Sequence, residues 1–246
     1  MVARMAAGSS IYDYPEVYAS LLAVAPDEYV QIRTLLELHG VQPKSVLDPA
    51  CGPGGWLVPF HDDGCRVAGN DLRQEMVEAS RRRVPDGEFT IGDMTQLQMS
   101  TGPFDLAVNL SSSVGHLADD VAVARHLDSV RRHLVPGGAY LLEFSSPTHK
   151  RTRPRAIWSS RKVPVGGGGH AKVSYRSVHT DPDERVERIS LELKTWGVET
   201  APSRLVESYN LRTFPESVVQ DLAAAAGFSV EELVRTEDDL LALLRR

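Results

Sequence analysis

Cysteine, positive charge and long apolar runs are all in short supply in this chain. Among 246 residues there are two cysteines, Cys51 and Cys65, and no Cys-x-x-Cys. Neither a disulfide framework nor a metal site is therefore expected. No stretch approaches the ~18 continuous apolar residues of a membrane-spanning helix. Met1 to Ser10 holds no apolar core of signal-peptide length. Lys and Arg number 27 against 33 Asp and Glu, leaving a net charge of −6 and no basic footprint for nucleic acid. The basic run Lys150 to Arg155 reads as a solvated surface loop. These absences point to a reduced, cytoplasmic protein with no membrane and no nucleic acid as partner.

What is present is an ordinary globular composition, 42% apolar and 24% charged, in a length that suits one large α/β domain or a domain with an insertion. The stretch Ser45-Val46-Leu47-Asp48-Pro49-Ala50-Cys51-Gly52-Pro53-Gly54-Gly55-Trp56 organises it. A short β-rich run ends in an acid, a glycine-rich turn follows, and an apolar stretch from Trp56 to Phe60 opens a helix. Backbone N–H groups left free at such a helix start can hold an anion. Gly52 and Gly54 let the chain bend and let a ligand touch bare backbone. The full G-x-G-x-x-G spacing is missing, because Ala50, Gly52 and Gly54 are followed by Leu57.

Residues 1–11 lack any period and read as disordered. Tyr12, Tyr14 and Tyr18 then crowd around Pro15, either as a local packed cluster or as a lid that closes over a ligand. A helix from Pro26 carries Tyr29, Ile32, Leu35, Leu36 and His39 on one stripe and stops at Gly40. Strands are expected at 45–48, 66–71, 88–93, 104–110 and 139–144. Helices are expected from Trp56 to Gly64, Gln74 to Arg83 and Asp119 or Asp120 to Leu134, with a turn at Pro136-Gly137-Gly138. This alternation means βαβ units and a doubly wound, parallel sheet, whose ligands bind beyond the carboxyl ends of the strands. Those ends carry Asp48, Asp71, Asp93, Asn109, Leu110 with Ser111, and Ser145. From Arg155 to Thr213 the pattern changes to β-rich segments with a hairpin turn at Asp181-Pro182-Asp183, an antiparallel sheet inserted after the fifth strand. A helix from Phe214 to Ala226 and a strand from Phe228 to Val234 follow. The leucine-rich tail, Glu237 to Arg246, reads as a helix. The expected organisation is an arm or lid at 1–25, a nucleotide-binding domain at 26–150, the insertion at 151–213 and a return to the core at 214–246.

Asp71 ends the second strand, where a carboxylate accepts both hydroxyls of a free ribose diol. Asp93 ends the third, where it can accept the exocyclic amine of adenine while Met94 lies against the ring. With these acids in chain order, the sequence resembles a class I S-adenosylmethionine-dependent methyltransferase. Asp48-Pro49-Ala50-Cys51-Gly52-Pro53-Gly54 resembles the first motif of that family, Asp71 its ribose acid, and Gly92-Asp93-Met94 its adenine motif. Phe104-Asp105-Leu106-Ala107-Val108 resembles its fourth-strand motif, and Leu134-Val135-Pro136-Gly137-Gly138 the turn before its fifth strand. The final hairpin strand of the family is not readable here. Leu110-Ser111-Ser112-Ser113-Val114-Gly115-His116-Leu117 resembles the segment after strand four in amino-sugar N-methyltransferases of natural-product pathways and in glycine N-methyltransferase.

The resemblance implies a seven-stranded, mainly parallel Rossmann-like sheet with an inserted antiparallel segment, S-adenosyl-L-methionine as cofactor, and a small-molecule amine or hydroxyl as acceptor. The insertion then bounds the acceptor pocket and can help make a homodimer. Cofactor contacts are expected from Tyr14, Asp48, Ala50, Gly52, Gly54, Asp71, Leu72, Asp93, Met94 and Leu110, and no metal. His116 is the candidate base, since an imidazole titrates near neutrality, against the plainer reading of a loop histidine bonded to backbone. Tyr14 is the candidate that closes over the amino-acid end of the cofactor. His149, His170 and His179 are alternatives to His116. Two other functions stand beside this one: an NAD-dependent oxidoreductase, which Asp71 fits but for which Asp93-Met94 has no use, and a non-catalytic nucleotide-binding protein. No Asn/Asp-Pro-Pro-aromatic signature follows strand four, which argues against a nucleic-acid methyltransferase.

Overall fold

The computed structural model describes residues 10–146, 155–181, 184–236 and 239–246. Outside them lie His149, most of the basic run from Lys150, the centre of the Asp181-Pro182-Asp183 turn, and residues 1–9. The chain divides into two compact units. Residues 24–146 with 214–246 make one, and residues 10–23 with 155–213 make the other.

The larger unit is built on a seven-stranded sheet. Its parallel part comprises β1 (Ser45–Asp48), β2 (Arg66–Asp71), β3 (Glu88–Ile91), β4 (Phe104–Asn109) and β5 (Leu134–Ser145). A hairpin of β11 (Ser229–Arg235) and β12 (Asp239–Arg245) completes it, giving the order β11-β12-β5-β4-β1-β2-β3. On one face pack α2 (Pro26–Leu38), with Ile32 and Leu36, and α3 (Leu57–Asp62), with Leu57 and Phe60. The other face is covered by α5 (Asp120–Arg132), through Val123, Leu127 and Val130, and by α6 (Glu216–Ala225), through Val219 and Ala223. Asp119 starts α5 by accepting the Ala122 N–H at 2.7 Å, while Arg131 and Arg132 sit in its last turn, each charge suiting its end of the helix dipole. The helix α4 (Gln74–Arg83) buries Met76, Val77, Ala79 and Ser80.

Two expectations for this unit need correction. The leucine-rich tail is strand β12, not a helix; it lies between β5 and β11 and is antiparallel to both. Its residues alternate between faces, with Leu240, Ala242 and Leu244 in one core and Leu243 in the other. A strand buried on both sides is apolar at every position, so period two vanishes and a short leucine run imitates a helix. The helix after the glycine turn is also shorter than expected, six residues from Leu57, so its dipole is small and anion holding rests on the bare turn. The Pro136-Gly137-Gly138 turn is present as a bulge within β5, between the pairings Phe104↔Leu134 and Leu106↔Ala139.

In the smaller unit, β8 (Gly169–Asp181), β9 (Val186–Trp196) and β10 (Arg204–Arg212) form an antiparallel meander. β6 (Arg155–Ser159) and β7 (Val163–Val165) both pair with β8. Residues 10 and 11 are ordered, unlike the expectation for 1–11: Ile11 is buried in a short 3-10 turn and its N–H donates to Glu207 Oε1 at 2.9 Å. With Val17 and Leu21 of α1 (Pro15–Leu21) it packs on Ala171, Val173, Leu191 and Leu193 of this sheet. The Tyr12 and Tyr18 rings meet at 5.5 Å, and Tyr14 packs in the same cluster.

At the amino end of the central strands, Asp105 Oδ2 accepts the Lys44 N–H, the Ser45 N–H and the Ser45 hydroxyl, each at 2.9 Å. This carboxylate fixes β1 against β4. Asp105→Ala should lower the unfolding free energy by about 1–3 kcal/mol, because it leaves partly buried donors unpaired. Urea unfolding followed by circular dichroism measures it, and a loss below about 0.5 kcal/mol would show that water replaces the carboxylate.

Candidate active site

The three strand-end acids lie on neighbouring strands, at one rim of one sheet. Asp71 Oδ2 accepts the Gly52 N–H at 2.8 Å, and Oδ1 accepts the Arg73 N–H at 2.9 Å. The Gly92 N–H donates to the Asp71 carbonyl at 2.9 Å, so the turn that carries Asp93 is joined to the end of β2. Asn70, buried on β2, donates to the carbonyls of Pro49 and Gly92 and accepts the Thr90 hydroxyl. One side chain thus holds the turns after β1 and β3 together.

The glycine turn takes the shape its residues allow. Gly52 and Gly54 have φ of +52° and +81°, values that disfavour any side chain. The Ser80 hydroxyl, on α4, donates to the Gly52 carbonyl at 2.8 Å. Cys51 is buried against Gly69 of β2, where a Cβ would come within 2.7 Å of its sulfur. Burial, helped by Asp48 and Asp71, pushes the Cys51 thiol pKa up, so the thiol is packing rather than nucleophile.

Asp48 is 4% exposed and its Oδ1 accepts the Ala50 N–H at 3.0 Å. Burial raises its pKa to about 7, with Asp71 adding to the rise and the Ala50 N–H opposing it. Burial also raises Asp71, against the backbone N–H groups of Arg73, Gly52 and Leu72 and the Arg73 charge. Leu72 is 62% exposed, an apolar surface beside the Asp71 carboxylate, and Leu110 is buried at the end of β4. Asp93 Oδ1 accepts the Thr95 N–H at 2.8 Å and so caps the 3-10 turn Met94–Gln96. The rim therefore combines bare backbone, an apolar platform and desolvated carboxylates that favour a cationic ligand.

Comparison with known proteins places the chain in a family. Residues 46–138 match the model of a methyltransferase domain. This chain carries a class I S-adenosylmethionine-dependent methyltransferase domain. The methyltransferase is 27% identical over 205 residues to a dTDP-3-amino-3,6-dideoxy-alpha-D-glucopyranose N,N-dimethyltransferase of Streptomyces fradiae, covering 83% of this chain and 77% of that one. It is 32% identical over 141 residues to a dTDP-4-amino-2,3,4,6-tetradeoxy-D-glucose N,N-dimethyltransferase of Saccharopolyspora spinosa. That match takes in 55% of this chain and only 56% of the relative. Among solved structures, DesVI of Streptomyces venezuelae superposes with a TM-score of 0.76 at 22% identity, over 96% of this chain and 99% of that one, and shares the fold. The oxidoreductase reading gives way to these findings. Among the described residues of the methyltransferase no helix is long and apolar enough to cross a membrane.

The loop after β4 is strained. Ser111 and Ser112 have φ of +65° and +53°, left-handed values that cost a residue with a Cβ on the order of 1 kcal/mol. The Ser112 hydroxyl lies 3.1 Å from Glu143 Oε1 and 3.3 Å from Asp239 Oδ1. Burial raises the Glu143 pKa to about 7, with Asp239 adding to the rise. His116 closes the 3-10 turn Ser113–His116; it is exposed, and partial desolvation by the surrounding chain lowers its pKa. Of the alternative histidines, His170 is exposed on β8 in the smaller unit, and the His179 side chain and His149 lie outside what is described.

Two residues near the acids, Asn70 and His126, escaped the sequence reading, and Asn109 entered it only as a polar strand end with no role. Their signal was a polar residue inside an apolar pattern, as with His126 beside Val123, Leu127 and Val130. Asn109, 1% exposed, offers Nδ2 to Met94 Sδ at 4.0 Å, and no described residue reaches its Oδ1. A buried acceptor left in that state costs about 1–3 kcal/mol. His126 is fully buried, with Nδ1 3.1 Å from the Met94 carbonyl and Nε2 2.6 Å from the Tyr140 hydroxyl. Burial lowers its pKa to about 4 and keeps the Tyr140 hydroxyl protonated, so the neutral ring donates from Nδ1 and accepts at Nε2. This ties the adenine-motif turn to α5 and β5.

The folded pKa of His126 lies below its unfolded value near 6.5, so the unfolded chain binds more protons between about pH 4 and 6.5. Its stabilisation is complete above that window and falls as the pH drops through it, by on the order of 3 kcal/mol at pH 4. The raised pKa values of Asp48 and Glu143 act with the opposite sign in the same window. The His126 share is therefore the difference in slope of unfolding free energy against pH between wild type and His126→Leu. Parallel slopes would show that the ring titrates in the fold as it does in the unfolded chain.

Proposed function

We propose that this methyltransferase transfers a methyl group to an amine nitrogen of a small molecule, an amino sugar by class. The names of its relatives support the acceptor class, and the three acids converging beside a bare-backbone turn support the site. That convergence carries the reading. A ribose diol fits Asp71, whose two oxygens are already aimed by Gly52 and Arg73 and keep lone pairs for hydroxyls. Asp93 and Met94 suit the adenine edge and face, and Leu72 and Leu110 offer apolar cover. Gly52 and Gly54 leave room for the amino-acid end, with Asp48 holding the turn through the Ala50 N–H.

Bound S-adenosylmethionine supplies a sulfonium-activated methyl group, which needs alignment and dryness more than covalent help. Alignment of the two reactants can be worth ~7–11 kcal/mol. The residues of the chain then have a proton to manage, since the acceptor nitrogen reacts only with its lone pair free. His116, with its lowered pKa, is neutral at pH 7 and can hold that proton on an imidazole nitrogen. An aliphatic ammonium is a weaker acid than such an imidazolium, so His116 assists and orients rather than deprotonating to completion.

Calorimetric titration with S-adenosylhomocysteine should show saturable binding. Asp71→Ala should weaken it about 100-fold, roughly two charge-assisted hydrogen bonds, while far-ultraviolet circular dichroism stays unchanged. Equal affinity would remove Asp71 from the ribose role, and absence of heat in wild type would remove the cofactor site. His116→Asn should lower kcat about 100-fold on an amino-sugar nucleotide, the lower end for a positioned acid or base, with cofactor affinity intact. A rate within twofold of wild type, at every pH from 6 to 9, would take His116 out of the chemistry.

A further inference from the structure

Asn109 is a buried polar group that the site described above does not use. It ends β4 in the middle of the sheet, 1% exposed, with no described residue at Oδ1. Asn70, on β2, is the contrast: the same side chain, equally buried, with every arm engaged. The orphan oxygen is therefore particular to position 109, where an apolar residue would fill the space at no such cost.

Its surroundings say which donor is missing. Ala107, two residues earlier on β4, belongs to the core on the α5 face, which puts Asn109 on that face too. Its Nδ2 reaches Met94 Sδ, the residue after Asp93. The donors of an adenosyl cofactor are the ribose hydroxyls, the α-ammonium and the exocyclic amine of the base. Asp71 on β2 suits the hydroxyls. Asp48 and the glycine turn suit the ammonium, and Asp48 alternates with Leu47 of the α5-face core and so lies on the other face. The amine remains, and Met94 is the residue expected against the base. We infer that Asn109 Oδ1 accepts an N–H of the adenine amine, so that two residues on different strands, Asp93 and Asn109, read the base. This rests on the cofactor site proposed above.

The test uses S-adenosylhomocysteine and S-inosylhomocysteine, which carries a 6-oxo group where the first has the amine. Each is titrated into wild type and Asn109→Leu, with thermal unfolding of both unliganded proteins. The variant should bind S-adenosylhomocysteine about tenfold more weakly, one hydrogen bond to a buried acceptor. It should bind the 6-oxo ligand within twofold of wild type and unfold at the same or a higher temperature, since the orphan is gone. Unchanged affinity for S-adenosylhomocysteine overturns the inference. So does an equal loss for both ligands, which would mean a general packing role, or a loss accompanied by a lower unfolding temperature. If wild type binds neither ligand, the cofactor site itself fails and this inference falls with it.

Discussion

The carboxylate of Asp71 is the constraint on which the rest of the rim depends. One oxygen holds the Gly52 N–H of the turn after β1, and the other holds the Arg73 N–H at the start of α4. Its own carbonyl takes the Gly92 N–H before Asp93. Three loops that leave three parallel strands are thereby fixed to one residue. Without these bonds each turn would have its own freedom, and the spacing of Asp71 and Asp93 would not be defined. Asn70, next in the chain and facing the opposite way, repeats the arrangement through the carbonyls of Pro49 and Gly92.

Charge is the second theme. Asp48, Asp71 and Glu143 are all held above their ordinary pKa by burial, Asp48 with Asp71 and Glu143 with Asp239 adding to the rise. Such a rim is costly when fully ionised and relaxes when a cation enters, which suits a sulfonium and an amine better than a phosphate-bearing dinucleotide. The strained serines after β4 and the Asn109 oxygen, which no described residue reaches, belong to the same picture. Local rules of good folding are broken together at the carboxyl end of a central strand, where a ligand can supply what the chain lacks.

Behind the rim, His126 shows how the fold supports the site without touching a ligand position. Its neutral ring spans from the Met94 carbonyl to the Tyr140 hydroxyl, so α5 and β5 hold the turn that Asp93 caps. A buried polar chain of this kind fixes one arrangement because any other leaves its members unpaired.

The alternating strands and helices from Ser45 to Ser145, and the acids at their carboxyl ends, were legible in the sequence, because periodicity and a glycine turn are local signals. So was the antiparallel character of the insertion. The C-terminal strand was not: Leu240 to Leu244 look helical until a neighbour on each side gives every leucine a core to enter. The roles of Asn70 and His126 and the Ser112–Glu143–Asp239 contact were also invisible, since each is defined by partners far away in the chain, and Asn109 was legible only as a polar strand end. Sequence alone determined which residue types stand at the strand ends, since strand and turn propensities act over a few residues. Only the tertiary structure decided which of them share a proton, a hydrogen bond or a shortage of one, because those depend on burial and on distances that the chain order does not contain.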